Sequence, residues 1–145
     1  MKKDTSSLLL LDVNVLLALA WPNHQFHAAA TGRLESGRDR WATCALTQLG
    51  FIRLSSNPAV VSGHKSPATA ASLLKAMIQD SQHIYLESLT SPVEVNLFAK
   101  ILGSKQVTDV YLMDLARRHA ATFVTFDARL KHAAAPGAKL EFLGA

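Results

Sequence analysis

The sequence predicts a three-layer α/β fold around a mainly parallel sheet of four to five strands, in a single domain over residues 1–145. Three observations predict it. Leu8-Leu9-Leu10-Leu11 is a continuous apolar run, as in a strand buried on both faces of a parallel sheet. Short runs of this kind alternate with longer stretches whose apolar residues recur at helical spacing. No hairpin signal joins any two of the runs, so helical crossovers are expected between the strands.

The elements follow in order. After the first strand, a helix is expected from about Val13 to Ala20, closed by Trp21-Pro22-Asn23. A second helix runs from about His24 to Glu35, with Gly37 in the loop beyond it. Trp41 to Cys44 is a short second strand. Leu46, Leu49, Phe51-Ile52 and Leu54 form a helical stripe that stops before Asn57-Pro58. The segment from Ser55 to Pro67 holds Ser, Asn, Pro and Gly and reads as a loop. Ser66-Pro67 sets an N-cap before a proline at the first helical position, opening a helix to Ile78 or Asp80. Ile84 to Leu86 is a third strand. Ser91-Pro92 repeats the Ser-Pro start, with a helix to about Leu102 and Gly103 as its stop. Thr108 is expected to cap a helix that carries Val110, Leu112, Met113, Leu115 and Ala116 and ends near His119. Thr122 to Phe126 is a fourth strand, and Leu140 to Leu143 a fifth.

Composition narrows the class. At 49% hydrophobic and 18% charged residues, the chain is not disordered. No apolar run approaches the roughly 20 residues that span a bilayer, and the stretch after Lys2 and Lys3 is broken by Asp12 and Asn14, so neither membrane insertion nor secretion is expected. A cytoplasmic location follows, and the single Cys44 agrees with it, since no disulfide framework can form within the chain. One cysteine and scattered histidines give no zinc-type spacing. The formal net charge of +4 permits a polyanionic partner.

Two strands end on an acid. Leu8–Leu11 runs into Asp12, and Thr122–Phe126 into Asp127. In a parallel sheet the ligand site lies at the carboxyl ends of the strands, where strand order reverses. Both acids therefore reach one edge if those strands are neighbours. Asp109 heads the helix between them. Each acid has a structural reading too. Asp12 and Asp127 can cap following helices, and Asp109 suits the positive end of a helix dipole. Capping does not explain why two acids terminate the most apolar strands. A buried carboxylate stays ionised only when paired, and a hard cation is a suitable partner. Asp12, Asp109 and Asp127 are thus candidate ligands for Mg²⁺, with Mn²⁺ as a substitute, in phosphate chemistry. Asn14 is placed to orient Asp12 or close the turn, and Thr125 to support Asp127. Thr43 reads as ordinary strand chemistry. Asp114 falls about 140° around the helix from Asp109 and reads as surface. A phosphatase of the strand-Asp-x-Asp kind is disfavoured because Asn14 stands at the second acid, and no Gly-x-Gly-x-x-Gly follows the first strand.

Four stretches then carry a family likeness: Leu11-Asp12-Val13-Asn14-Val15-Leu16-Leu17; Trp41-Ala42-Thr43-Cys44 through Gly50-Phe51-Ile52-Arg53 to Ser56-Asn57-Pro58; Thr108-Asp109-Val110-Tyr111-Leu112 with Leu115-Ala116; and Val124-Thr125-Phe126-Asp127. In order and spacing the chain resembles PIN-domain ribonucleases, and closely the VapC toxins of toxin–antitoxin pairs. The resemblance implies a metal-dependent endoribonuclease with a four-acid catalytic site. Its acids fall on Asp12, Asp109 and Asp127, and the fourth place holds Gln48, a neutral oxygen donor where the family has an acid. Gln48 is open to three explanations: a tolerated natural variant, a deliberate isosteric change, or the mark of a cleavage-impaired module that keeps antitoxin or nucleic-acid binding. The resemblance further implies a homodimer and a separate cognate antitoxin.

Arg53, Arg129 and Lys131 lie in segments close to the proposed acids and are candidates to hold RNA phosphates, giving salt-dependent affinity. A solvated basic face is the plainer reading of each. His64 and Lys65 are weaker candidates, and His24 and His27 read as edge histidines. Trp21 and Phe26 belong to the core or to a partner surface. The first two helices and the helix holding Leu49 and Ile52 are candidate antitoxin contacts.

Overall fold

The computed structural model describes residues 7–87, 90–94, 96–99 and 103–144, with Lys105 described for its backbone alone. Five strands form one sheet: β1 (Leu8–Leu11), β2 (Arg40–Thr43), β3 (His83–Tyr85), β4 (Thr122–Thr125) and β5 (Lys139–Phe142). Every pairing is parallel, in the order β3-β2-β1-β4-β5. The helices are α1 (Val13–Ala20), α2 (His27–Glu35), α3 (Ala45–Ser55), α4 (Pro67–Met77) and α5 (Val107–Arg118).

The leucine run of β1 works on both faces. Leu10 joins Phe123 and the apolar side of α5, while Leu9 and Leu11 join Val15, Leu16, Phe51 and Leu74 from α1, α3 and α4. All three are at most 1% exposed, so each contributes roughly 1.5–3 kcal/mol of burial. The result is three layers, with α1 to α4 over one face and α5 over the other. α3 crosses α1 very closely: a Cβ on Gly50 would lie 2.7 Å from Val13 Cγ2. That contact accounts for a helix-interior glycine, which otherwise costs about 0.5–1 kcal/mol relative to alanine.

The chain leaves β1 in opposite directions. β2 and β3 extend the sheet on one side and β4 and β5 on the other, so strand order reverses between β1 and β4. Leu11 is in register with Val124. The residues just past both strands therefore meet at one crevice.

Four local expectations are corrected. α2 begins at His27, because residues 22–26 form turns held by His24 N–H to the Trp21 carbonyl at 2.9 Å. The helix expected from Ser91-Pro92 to Leu102 is a 3-10 turn over Pro92–Glu94, and residues 96–98 are not helical; residues 95 and 100–102 lie outside the described ones. Thr108 is not a cap: a 3-10 turn over Ser104–Gln106 runs directly into α5, leaving Gln106 at the N-cap without a side-chain bond. Asp114 is not surface. It is 6% exposed and receives Arg117 Nη2 at 2.8 Å and Arg118 Nε at 2.7 Å. Burial works against its charge, yet the two guanidiniums hold its pKa below the ordinary range.

A second ion network ties the sheet margin. Arg33 of α2 donates to both carboxylate oxygens of Glu141 in β5, at 2.6 and 3.0 Å, and to Asp39 at 2.7 Å. Asp39 also accepts the Ser7 N–H at 3.0 Å, fixing the approach to β1.

Candidate functional site

Asp12 follows β1 and caps α1. It is 8% exposed, and both carboxylate oxygens are engaged: Oδ1 accepts the Val13 N–H at 2.7 Å and Oδ2 accepts the Thr125 hydroxyl at 2.8 Å. Burial raises its pKa, Thr125 and Val13 oppose that, and the charge of Asp127 adds to it. Capping and site membership coexist in this residue.

Thr125 is the last residue of β4 and fully buried. Its hydroxyl donates to Asp12 and accepts the Asp127 N–H at 3.1 Å. One side chain thus sets the positions of both acids. Asn14 does not share that task. It is exposed, and among the described residues its side chain makes no bond to Asp12.

Asp127 caps the 3-10 turn Ala128–His132, accepting the Arg129 N–H at 3.0 Å. The Arg129 guanidinium also grips it, Nε at 2.9 Å and Nη2 at 3.1 Å. That pairing lowers its pKa against the opposing effect of burial. Arg129, expected to meet RNA, is engaged with an acid of the site. A cavity of about 340 Å³ beside the pair is lined by Gly103, Ser104, Gln106, Asp127 and Arg129.

Asp109 lies in the first turn of α5. Its pKa is raised to about 7, first by burial and then by the charges of Asp12 and Asp127. Asp12 and Asp127 thus lie near enough for their charges to act on Asp109. Among the described residues, no three carboxylate, imidazole or thiolate groups converge tightly enough to grip a metal ion directly. The geometry explains this: Asp127 is turned onto Arg129, and Asp12 is tied to Val13 and Thr125. The donor set still fits a hard cation. It is all oxygen, and Mg²⁺ keeps several waters and takes only one or two carboxylates directly.

Gln48 is in the second turn of α3. Its Nε2 donates to Thr43 Oγ1 at 3.0 Å, and that oxygen lies 2.8 Å from His83 Nε2. Thr43 is fully buried at the end of β2, so it does more than fill a strand position. His83 was not among the sequence candidates; its contact with Thr43 depends on the β2–β3 pairing, Trp41 with His83. Arg53 is exposed in the last turn of α3, and Lys131, His64 and Lys65 are exposed; among the described residues none of them bonds to the acids. Trp21 and Phe26 pack at the edge of the core: the Trp21 indole N–H donates to Ser55 Oγ at 3.2 Å, and Phe26 meets Phe126 at 4.7 Å. His24 stacks on Phe126, and His27 Nδ1 lies 2.6 Å from the Ala18 carbonyl.

Residues 9–136 match the family model for the PIN domain. The chain is similar to ribonuclease VapC39 of Mycobacterium tuberculosis, 39% identical over 136 residues, covering 88% of this chain and 94% of that protein. It is also similar to ribonuclease VapC38 of the same species, 42% identical over 123 residues, covering 82% and 84%. Two solved structures share the fold. VapBC2 from Rickettsia felis, bound to a DNA fragment from its promoter, aligns with a TM-score of 0.64 at 16% identity over 94% of this chain and 99% of its own. The sarcin-ricin loop cleaving toxin VapC20 of Mycobacterium tuberculosis aligns with a TM-score of 0.64 at 14% identity, over 90% and 98%.

Proposed function

The chain belongs to the PIN domain family, within its VapC ribonucleases, and from that premise we propose that it is a Mg²⁺-dependent endoribonuclease toxin neutralised by a cognate antitoxin. The observation that carries the metal-dependent part is the gathering of Asp12, Asp109 and Asp127 at the β1/β4 switch point, where burial first, and then the charges of Asp12 and Asp127, raise the Asp109 pKa to about 7. Asp12, Asp109 and Asp127 would hold the cation, with Mn²⁺ able to replace Mg²⁺. The cation supplies Lewis acidity there, polarising a phosphoryl oxygen and making a water acidic enough to attack a phosphodiester. Thr125 keeps Asp12 and Asp127 in place, and Arg129, now paired with Asp127, would be available to RNA phosphate were that carboxylate to hold the cation.

The antitoxin is a separate chain. Leu46 and Leu49, three apart on α3, are 38% and 64% exposed, and Val60 is 50% exposed. They support an apolar contact surface for it, with a second copy of this chain completing a homodimer elsewhere. Among the described residues no helix is long and apolar enough to cross a membrane. The competing reading is a cleavage-impaired binding module, and Gln48 is the observation that favours it.

Purified protein with Mg²⁺ is expected to cut structured RNA, and Asp12→Ala to abolish the cutting. Equal cleavage in EDTA, or by Asp12→Ala, would overturn the metal-dependent mechanism. A large gain on Gln48→Glu would favour the binding-module reading.

A further inference from the structure

With the Gln48 amide nitrogen placed against Thr43 Oγ1, the Gln48–Thr43–His83 chain admits one proton order. Gln48 Nε2 can only donate, and it donates to Thr43 Oγ1 at 3.0 Å. The Thr43 hydroxyl carries one proton and is fully buried, so that proton needs an acceptor. Among the described residues the acceptor in reach is His83 Nε2, at 2.8 Å. His83 must then be neutral with its proton on Nδ1. Burial, lowering its pKa against the charge of Asp80, agrees with a neutral ring. The ring is also held in place: it packs edge-on against Trp41 at 4.7 Å, and the Trp41 indole N–H donates to Asp80 Oδ2 at 3.0 Å.

We propose that His83 and Thr43 are positioning residues that hold the Gln48 amide nitrogen inward, so that its carbonyl oxygen faces the carboxylate edge as a neutral donor. This rests on the nuclease reading of that edge. Placement supports it. Leu10 pairs with Ala42, so Thr43 ends β2 level with Leu11, one residue short of Asp12 on the neighbouring strand. α3 presses on Val13, the residue after Asp12, through Gly50. Among the described residues Gln48 Oε1 has no hydrogen-bond partner. This amide orientation and a His83 that accepts from Thr43 require each other. Were His83 to donate from Nε2, Thr43 would be released to donate to Gln48, and the amide would turn its nitrogen to the site.

The same logic covers the acid at this position. A carboxylate at 48 can only accept, so Thr43 would have to donate to it. His83 would then have to donate from Nε2. The Gln48→Glu change is therefore expected to move the His83 proton two bonds across the ring, without touching His83 itself.

The test is nuclear magnetic resonance on metal-free protein labelled with ¹⁵N in histidine and glutamine. In the unaltered chain His83 is expected as the Nδ1–H form, with the Gln48 Nε2 protons showing cross-peaks to the Thr43 methyl. Gln48→Glu is expected to protonate His83 Nε2. Thr43→Val should lose the organisation of the amide and reduce Mg²⁺-dependent cleavage about tenfold, the lower range for a residue acting through a ligand, while Thr43→Ser restores both. An Nε2–H tautomer in the unaltered chain, or a tautomer unchanged by Gln48→Glu, would overturn the proposal. Absence of cleavage in the unaltered chain would instead remove the nuclease reading, and the resonance result would still decide how the amide is held.

Discussion

Replacing Asp109 by asparagine is expected to stabilise the metal-free protein while abolishing cleavage. Asp109 is raised to about 7 because burial, Asp12 and Asp127 all oppose its charge. Its unfolded-state value is near 4, so the native state binds the proton more tightly than the unfolded chain. Stability then falls as pH rises from about 4 to about 7 and levels off above that. Asparagine resembles the protonated acid and carries no such dependence. The full shift corresponds to about 4 kcal/mol, and partial solvation together with the lost helix-dipole interaction bring the expected gain to about 2 kcal/mol above pH 7. Urea unfolding at pH 5 and pH 8 measures it, with the larger gain expected at pH 8. Saturating Mg²⁺ should close the gap, since the cation stabilises only the native aspartate form. An asparagine variant no more stable than the parent at pH 8 would refute the crowding argument.

Three further outcomes follow from the same contacts. Thr125→Val removes the bond to Asp12 and leaves the Asp127 N–H without its partner, so it is expected to cost about 2–3 kcal/mol in urea unfolding and to weaken Mg²⁺ binding; a cost below about 0.5 kcal/mol would contradict the bridging role. Arg129→Ala frees Asp127 and should tighten metal binding up to about fivefold, the most an exposed ion pair withholds, while raising KM for RNA; unchanged values of both would remove Arg129 from the site. Ala120, just past the end of α5, has φ 53°, a left-handed conformation costly for any residue with a Cβ, so Ala120→Gly is expected to raise Tm by about 2–4 °C with cleavage unchanged.

Much of this was legible in the chain. Four consecutive leucines ending at Asp12, within an alternation of short apolar runs and helical stretches, point to a parallel strand buried on both faces, and β4 ending before Asp127 repeats the logic. Asp114 was misjudged for a physical reason. An angular offset from Asp109 shows that two residues do not share a face, but it does not show that the second face is solvated, and Arg117 and Arg118 make its burial tolerable. Thr108 looked like a cap because threonine favours that position; the preceding 3-10 turn moved the start of α5 two residues earlier. Arg129 could be placed near the acids but not paired with one, since that depends on the turn after β4. His83 carried no local signal. It meets Thr43 only because β3 pairs with β2, a contact between residues forty positions apart.

Mn²⁺ binding followed by electron paramagnetic resonance tests the central claim most directly. The unaltered protein is expected to take up Mn²⁺ saturably, and Asp12→Asn or Asp127→Asn to lose that uptake while keeping the fold. Binding equally strong in both variants, or no saturable uptake in the parent, would contradict a cation held at the β1/β4 crevice.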